Sequence, residues 1–163
     1  MSTSIMQQVV PHIREAVFPG DTARLVALVR EYVKWLDMDL SYRGFEDEMR
    51  SFEQTFTLPS GMFFVAEVDG AMAGCVGLLR HTDAVAEVKR LYVRPAYRGL
   101  ALGEKLMTAL ASKAKVLGYE KLMLDSVART AFAQRLYERM GFTETAAYYP
   151  NPVPGTRFLE LVF

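Results

Sequence analysis

Residues 94–103 have the composition of an anion-binding loop. Gly99, Ala101 and Gly103 occur at every second position, and small side chains let the backbone approach a ligand closely and adopt unusual dihedral angles. The loop precedes a predicted helix, whose first turn leaves several N–H groups unpaired. These donors and the positive end of the helix dipole favour a phosphate group. Arg98 can add a charge-assisted hydrogen bond.

Two other interpretations stay open when this loop is considered alone. It can be a tight strand-to-helix turn with one solvated arginine, which explains the pattern equally well. An NTP or NAD site fits poorly, because the loop lacks the Lys-Ser/Thr ending of a P-loop and the glycine spacing of the dinucleotide fingerprint.

Hydrophobic periodicity predicts the elements that position the loop. Apolar residues recur at three- and four-residue spacing from Leu25 to Leu36, which predicts a helix that Asp21 or Thr22 could cap. Gly118 and Gly141 are expected to end two later helices. Further helices are predicted over residues 45–56, 101–117 and 130–140, and strands over residues 13–17, 62–68, 73–80, 85–93 and 121–126.

The order of these elements predicts a mixed α/β fold. Residues 85–126 give a strand, a helix and a strand in succession, which closes as a crossover between two parallel strands. The Asp69-Gly70 turn before them joins an antiparallel hairpin. We therefore expect a mixed sheet with helices packed on it, in one domain over residues 1–163.

Composition narrows the classes of function. The formal net charge is zero and charged residues make up 23% of the chain, which argues against a general nucleic-acid binder. The single cysteine, Cys75, excludes an internal disulfide and favours a reducing cytoplasm. Residues 1–8 do not have the pattern of a signal peptide, and no stretch reaches the roughly 18 apolar residues of a membrane span.

Two motifs resemble the GCN5-related N-acetyltransferases. Residues 98–103 stand where that family has Gln/Arg-x-x-Gly-x-Gly/Ala, with Ala101 in place of the central glycine. Residues 133–142 resemble the family's Ala-x-x-Leu-Tyr-x-x-x-Gly-Phe, and Thr130 occupies a position that is often asparagine. The order and spacing of the motifs both fit. Residues 148–155 resemble a subgroup of uncharacterised bacterial members, which implies no defined substrate.

The resemblance implies a fold and a reaction. The fold is a mostly antiparallel sheet of six to seven strands, with a central splayed parallel pair and about four helices. The reaction is direct transfer of the acetyl group of acetyl-CoA to a primary amine of a small molecule or peptide. The residues assigned by the resemblance to acetyl-CoA are Leu91, Tyr92, Val93, Arg98, Gly99, Leu100, Ala101, Leu102, Gly103, Thr130 and Ala133. A strand N–H near Leu91 or Tyr92 would polarise the thioester carbonyl.

Two residues are expected to move protons. Tyr137 matches the family tyrosine that acts as general acid toward the CoA sulfur; otherwise it is a core tyrosine. Glu87 lies on the strand near where several family members place a base; otherwise it is a solvated or salt-bridged residue. Cys75 is expected to be a buried small hydrophobe.

The acceptor site is expected between the N-terminal helices and the late loop. Its candidate residues are Tyr32, Trp35, Tyr42, Glu46, Tyr148 and Asn151. Glu46 and Glu48 could attract a cationic acceptor or form an ordinary charged helix face. Lys89 and Arg90 are expected to be solvated, where they could add positive potential near the CoA phosphates. No cysteine or histidine cluster indicates a metal. A homodimer through edge strands, a non-catalytic acyl-CoA sensor and a nucleotide-binding protein remain alternatives for partner and function.

Overall fold

A seven-stranded sheet organises residues 9–163, the part of the chain that the computed structural model describes. Its strands are β1 (His12–Glu15), β2 (Gly61–Val68), β3 (Ala71–Arg80), β4 (Val85–Val93), β5 (Lys121–Ser126), β6 (Thr143–Glu144) and β7 (Arg157–Val162). The α-helices are α1 (Thr22–Leu36), α2 (Phe45–Arg50), α3 (Phe52–Thr55), α4 (Leu102–Val116) and α5 (Ala131–Met140). The interpretation of residues 1–8 concerns a segment outside the described residues.

The strand order is β1-β2-β3-β4-β5-β7-β6. Only β4 and β5 run parallel among the described strands, and all other neighbours pair antiparallel. The predicted mixed, mostly antiparallel sheet with a parallel pair is therefore confirmed. The parallel pairing follows from the length of the connection, because α4 must cross the sheet between its two strands.

Helices cover both faces of the sheet because the strands alternate their side chains between two apolar surfaces. On one face, α4 and α5 bury a cluster that includes Leu106, Leu110 and Leu124. On the other, α1, α2 and α3 bury a cluster that includes Leu25 and Phe52. No helix within residues 9–163 combines the length and apolar character that crossing a membrane requires.

The helix predicted over residues 45–56 is instead two helices, α2 and α3, divided at Ser51. The Ser51 hydroxyl donates to the carbonyl of Asp47 at 2.8 Å. Such a bond from a serine to the carbonyl four residues earlier competes with the helical backbone and bends it.

The side-chain cap predicted for α1 is wrong. Asp21 occupies the cap position but makes no side-chain cap bond. Its carboxylate instead accepts hydrogen bonds from Arg14 at 2.7 Å and from the Val17 N–H at 2.7 Å. Thr22 donates its hydroxyl to Glu53 at 2.6 Å. Both polar groups therefore hold the helix to neighbouring elements instead of closing its first turn.

The parallel pair separates after its third residue pair. β4 and β5 are paired from Val85↔Lys121 to Glu87↔Met123 and not beyond. A bulge lies just after this point, since Cys75 pairs with Tyr92 and Gly77 with Lys89, which leaves two residues of β4 opposite one of β3. A bulge bends its strand, so β4 diverges from β5 and a gap opens between them.

Candidate active site

A cavity of about 430 Å³ lies where β4 and β5 diverge. Its walls are the bulged half of β4, the end of β5, the loop before α4, α5 and the end of α1. Of the residues expected to contact acetyl-CoA or the leaving thiolate, those that line it are Leu91, Tyr92, Val93, Arg98, Gly99, Ala101, Leu102, Gly103, Thr130, Ala133 and Tyr137. Leu100 packs against the core beside α4 instead.

The loop before α4 offers a continuous set of free donors. No hydrogen bond joins the backbone N–H groups of residues 99–104 to another group of the described chain. Gly99 and Ala101 have φ of 95° and 56°, and the first helical bond runs from the Lys105 N–H to the Ala101 carbonyl at 3.1 Å. Unpaired amides at a helix start bind phosphate groups well.

Two arginines flank these amides at the mouth of the cavity. The Arg98 guanidinium lies between the rings of Trp35 and Phe132, 5.9 and 5.7 Å from their centroids. Arg139 lines the same cavity from α5. Trp35 and Phe132 meet edge to face at 6.2 Å, so α1 and α5 touch across the opening. The mouth therefore combines positive charge with an aromatic rim.

Tyr137 is a buried residue of α5 that lines the cavity. Its ring packs against Phe142 at 5.6 Å, and its hydroxyl makes no hydrogen bond to another group within residues 9–163. Burial raises the pKa of Tyr137 well above its usual range, and the nearby negative charge of Asp125 adds to this effect. The hydroxyl is therefore protonated and free to donate.

Glu87 lies behind the cavity wall and is only 1% exposed. It accepts hydrogen bonds from Arg43 Nη2 at 2.9 Å and from the Tyr148 hydroxyl at 2.6 Å, and His81 Nε2 lies 3.0 Å away. Burial opposes ionisation, but the hydrogen bond from His81 and the charges of Lys89 and Arg43 outweigh it and lower the pKa of Glu87 to about 2. Glu87 is thus ionised at neutral pH, and its ion-pair partner Arg43 lines the cavity.

Two of the predicted acceptor residues line the cavity, and a third lies away from it. Tyr32 and Trp35 line the cavity and pack on the Tyr92 ring, at 5.4 and 6.3 Å. Glu46 instead borders a separate shallow depression with Arg30, its ion-pair partner at 3.0 Å.

The late loop stands beside the cavity instead of lining it. Tyr148 binds Glu87, while the Asn151 amide donates to the Tyr149 hydroxyl at 2.7 Å. The side chain of Tyr42 is outside the described part of the structure.

Several charged residues of the site were missed or misjudged from the sequence. Lys89 and Arg90, expected to be solvated, are nearly buried and donate to Glu48 at 2.7 and 2.8 Å. Arg43 and Asp125 also line the cavity. An acidic residue at the carboxyl end of a buried strand was an available signal for Asp125. No local signal identified Arg43.

Thr130 and Cys75 are two further residues for which the sequence supports an expectation. Thr130 does not cap α5 with its hydroxyl, because that group bonds to the Ser126 hydroxyl at 2.7 Å and the Val127 carbonyl at 2.9 Å. Cys75 is fully buried, as predicted, and burial raises the pKa of its thiol to about 12. Within the described residues no group of three His, Cys, Asp or Glu side chains could hold a metal ion.

Comparison with known proteins identifies the family. Residues 29–142 match the Acetyltransferase (GNAT) family. An uncharacterised N-acetyltransferase of Schizosaccharomyces pombe is 35% identical over 145 residues, which cover 88% of this chain and 89% of the relative.

Two solved structures share the fold. The PaiA N-acetyltransferase of Thermoplasma acidophilum, in complex with coenzyme A, matches with a TM-score of 0.73 and 19% identity, over 94% of this chain and 99% of its own. The YncA acetyltransferase of Salmonella typhimurium, with acetyl-CoA, matches with a TM-score of 0.70 and 24% identity, over 93% of each chain. This chain belongs to the GNAT family of acetyltransferases.

Proposed function

We propose that the protein transfers the acetyl group of acetyl-CoA directly to a primary amine of a small molecule or peptide. The observation that carries the proposal is one continuous cavity, which is lined both by Tyr137 and by the residues with free amides at 99 and 101–104. Acetyl-CoA supplies an activated acetyl group and a thiolate leaving group. The residues around the cavity bind, orient and exchange protons.

The residues at the mouth fit a coenzyme A pyrophosphate. The free amides, Arg98 and Arg139 bind its negative charge. Between the separated strands, the edge of β4 that faces β5 is without a strand partner beyond Glu87, so its backbone groups can pair with the amide-bearing pantetheine arm. The bulge takes Arg90 and Leu91 out of regular pairing, and an N–H freed there polarises the thioester carbonyl.

One carboxylate and one tyrosine are assigned to proton transfer. Tyr137 donates to the leaving thiolate, since its raised pKa keeps it protonated. A carboxylate with a pKa of about 2 accepts a proton weakly, so we assign Glu87 to positioning Arg43 and Tyr148. Asp125 and Glu104 both line the cavity. Glu104 lies in the first turn of α4, beside the amides assigned to the pyrophosphate, so we assign acceptance of the amine proton to Asp125.

Ligand binding and turnover together test the proposal. Acetyl-CoA is expected to raise the Tm and to give saturable heat in calorimetry, whereas ATP and NAD give neither. A ligand that binds only the folded state at 100 times its Kd stabilises by about 2.7 kcal/mol. Thiol release with a panel of amines then measures transfer. No heat with millimolar acetyl-CoA would refute the proposal, and binding without turnover of any amine would favour the non-catalytic sensor.

Gly103 provides a test of the phosphate site. It lies in the first turn of α4 and lines the cavity, and a Cβ there would be 3.6 Å from Leu136 Cδ2, an ordinary contact. Gly103→Ala is therefore expected to stabilise the fold by about 0.5–1 kcal/mol, as alanine does in helices. The same methyl group narrows the phosphate site, so the affinity for coenzyme A should fall about tenfold or more.

Urea unfolding and calorimetry measure the two effects of Gly103→Ala separately. Gly20→Ala is the matched control, because Gly20 lies outside the cavity and its added Cβ would also make only an ordinary contact, at 3.7 Å. We expect this control to leave coenzyme A affinity unchanged. Unchanged affinity in Gly103→Ala would contradict phosphate binding at the start of α4.

A further inference from the structure

Three buried cations lie at the inner end of the cavity, and two of them share one ion-pair partner. Arg43, Lys89 and Arg90 line it, with side chains 17%, 8% and 10% exposed. Glu87 pairs with Arg43 at 2.9 Å, but Glu48 alone serves both Lys89 and Arg90, at 2.7 and 2.8 Å. Buried charges are stable when each is paired, and here Lys89 and Arg90 share the ion pair with Glu48.

Arg90 is the cation whose hydrogen-bond donors are not satisfied. A regular strand points consecutive residues to opposite faces, whereas the bulge and the φ of 60° at Arg90 direct Lys89 and Arg90 to the same carboxylate. Arg90 uses only Nη2 for Glu48. Its buried Nε has no hydrogen-bond partner within residues 9–163, and Nη1 has none in that stretch either. An unsatisfied buried donor costs about 1–3 kcal/mol, and the donors of Arg90 exceed the acceptors that the described residues provide for them.

Asp125 does not supply the missing acceptor. It lines the cavity from β5 and accepts a hydrogen bond from the Tyr149 hydroxyl. No salt bridge of the described chain joins it to Arg43, Lys89 or Arg90. The cavity therefore presents a carboxylate from β5 and guanidinium groups from β4 and the segment before α2. These opposite charges are complementary to a ligand that has both an amine and an anionic group.

We propose that the acceptor is an amine that also carries a carboxylate, and that Arg90 and Arg43 bind this carboxylate. The inference rests on the proposed acetyl transfer and names the class of its acceptor. Guanidinium groups bind carboxylates through paired N–H donors. Arg43 commits only Nη2 to Glu87 and lies over the Tyr149 ring at 3.8 Å, which holds its plane in place. The amine of the acceptor then lies toward Asp125.

The first test compares amino acids with amines that lack only the carboxylate. The pairs are β-alanine with ethylamine, leucine with 3-methylbutylamine and phenylalanine with phenethylamine, each assayed by thiol release from acetyl-CoA. We expect kcat/KM to favour an acid over its matched amine by about 10- to 100-fold, the effect of a charge-assisted hydrogen bond. In Arg90→Gln this ratio is expected to approach one.

Matched variants separate recognition from folding. Arg90→Gln leaves Lys89 and Glu48 as a balanced pair, so its Tm and its acetyl-CoA affinity in calorimetry should equal those of the wild type. Arg30→Gln is the control, because Arg30 lies over the same Phe45 ring as Arg90, at 5.7 against 5.4 Å, but outside the cavity. This control should keep the preference for the acid.

A binding measurement decides the inference even if no acceptor in the panel is acetylated. N-acetyl-β-alanine is expected to raise the Tm of the wild type but not of Arg90→Gln, and N-ethylacetamide to raise neither. Equal turnover of acids and matched amines, or equal Tm shifts by these two compounds, would overturn the carboxylate site. If thiol release from acetyl-CoA with any amine persists in that case, the proposed acetyl transfer stands and only the carboxylate site is refuted.

Discussion

Tyr137→Phe is expected to lower kcat about 100-fold or more, the usual contribution of a general acid. The phenol is buried at the cavity wall, and burial raises its pKa, so it is protonated at every pH at which the enzyme works. Removing the hydroxyl leaves the thiolate without its proton donor. Phenylalanine keeps the ring that packs against Phe142 at 5.6 Å. Steady-state thiol release with a saturating amine measures the loss.

Two controls attribute that loss to proton transfer. The affinity of Tyr137→Phe for acetyl-CoA, measured by calorimetry, should match the wild type, since the change removes one hydroxyl and little contact area. Tyr119→Phe makes the same substitution at a half-buried tyrosine outside the cavity and should keep full turnover. A kcat for Tyr137→Phe within about threefold of the wild type would remove Tyr137 from the proposed chemistry, because general acids contribute far more.

The elements around the phosphate loop could be predicted because their signals are local. α4 is predicted over residues 101–117 and spans Leu102–Val116. Its two signals are the periodic apolar face of the helix itself and Gly118, which follows directly after its end. The parallel arrangement of β4 and β5 followed from the crossover length between them. The motif predicts Tyr137 as the general acid, and in the structure Tyr137 lines the same cavity as the loop.

The buried ion pairs of the site could not be predicted because they join distant parts of the chain. The bonds Arg43–Glu87 and Lys89–Glu48 span 44 and 41 residues, and no periodicity in the sequence reports such pairs. The bulge at Arg90 depends on which residue of β3 opposes it. An alternating strand pattern does not reveal that shift of register. The sequence alone therefore predicts that Lys89 and Arg90 are solvated.

Glu87→Gln is expected to show the largest loss of stability. The folded protein lowers the pKa of Glu87 from 4.5 to about 2, which corresponds to about 3 kcal/mol of favourable free energy at neutral pH. Glutamine has nearly the same shape but leaves Arg43, whose side chain is 17% exposed, without its ion-pair partner. Breaking one side of a buried pair is strongly destabilising for this reason. Urea unfolding at pH 7 measures the difference between the two proteins.

The pH dependence of the difference in unfolding free energy between the wild type and Glu87→Gln shows whether the charge of Glu87 causes it. Because the folded pKa is the lower one, the stabilisation by Glu87 is complete above the unfolded pKa and disappears as pH falls from about 4.5 toward 2. The wild type should therefore lose its advantage over Glu87→Gln in that range, where the wild-type carboxyl also becomes neutral. Glu46→Gln, which breaks the exposed pair with Arg30, should change stability little, since water screens such pairs. A difference that is constant with pH would mean that Glu87 stabilises the fold through packing and not through its charge.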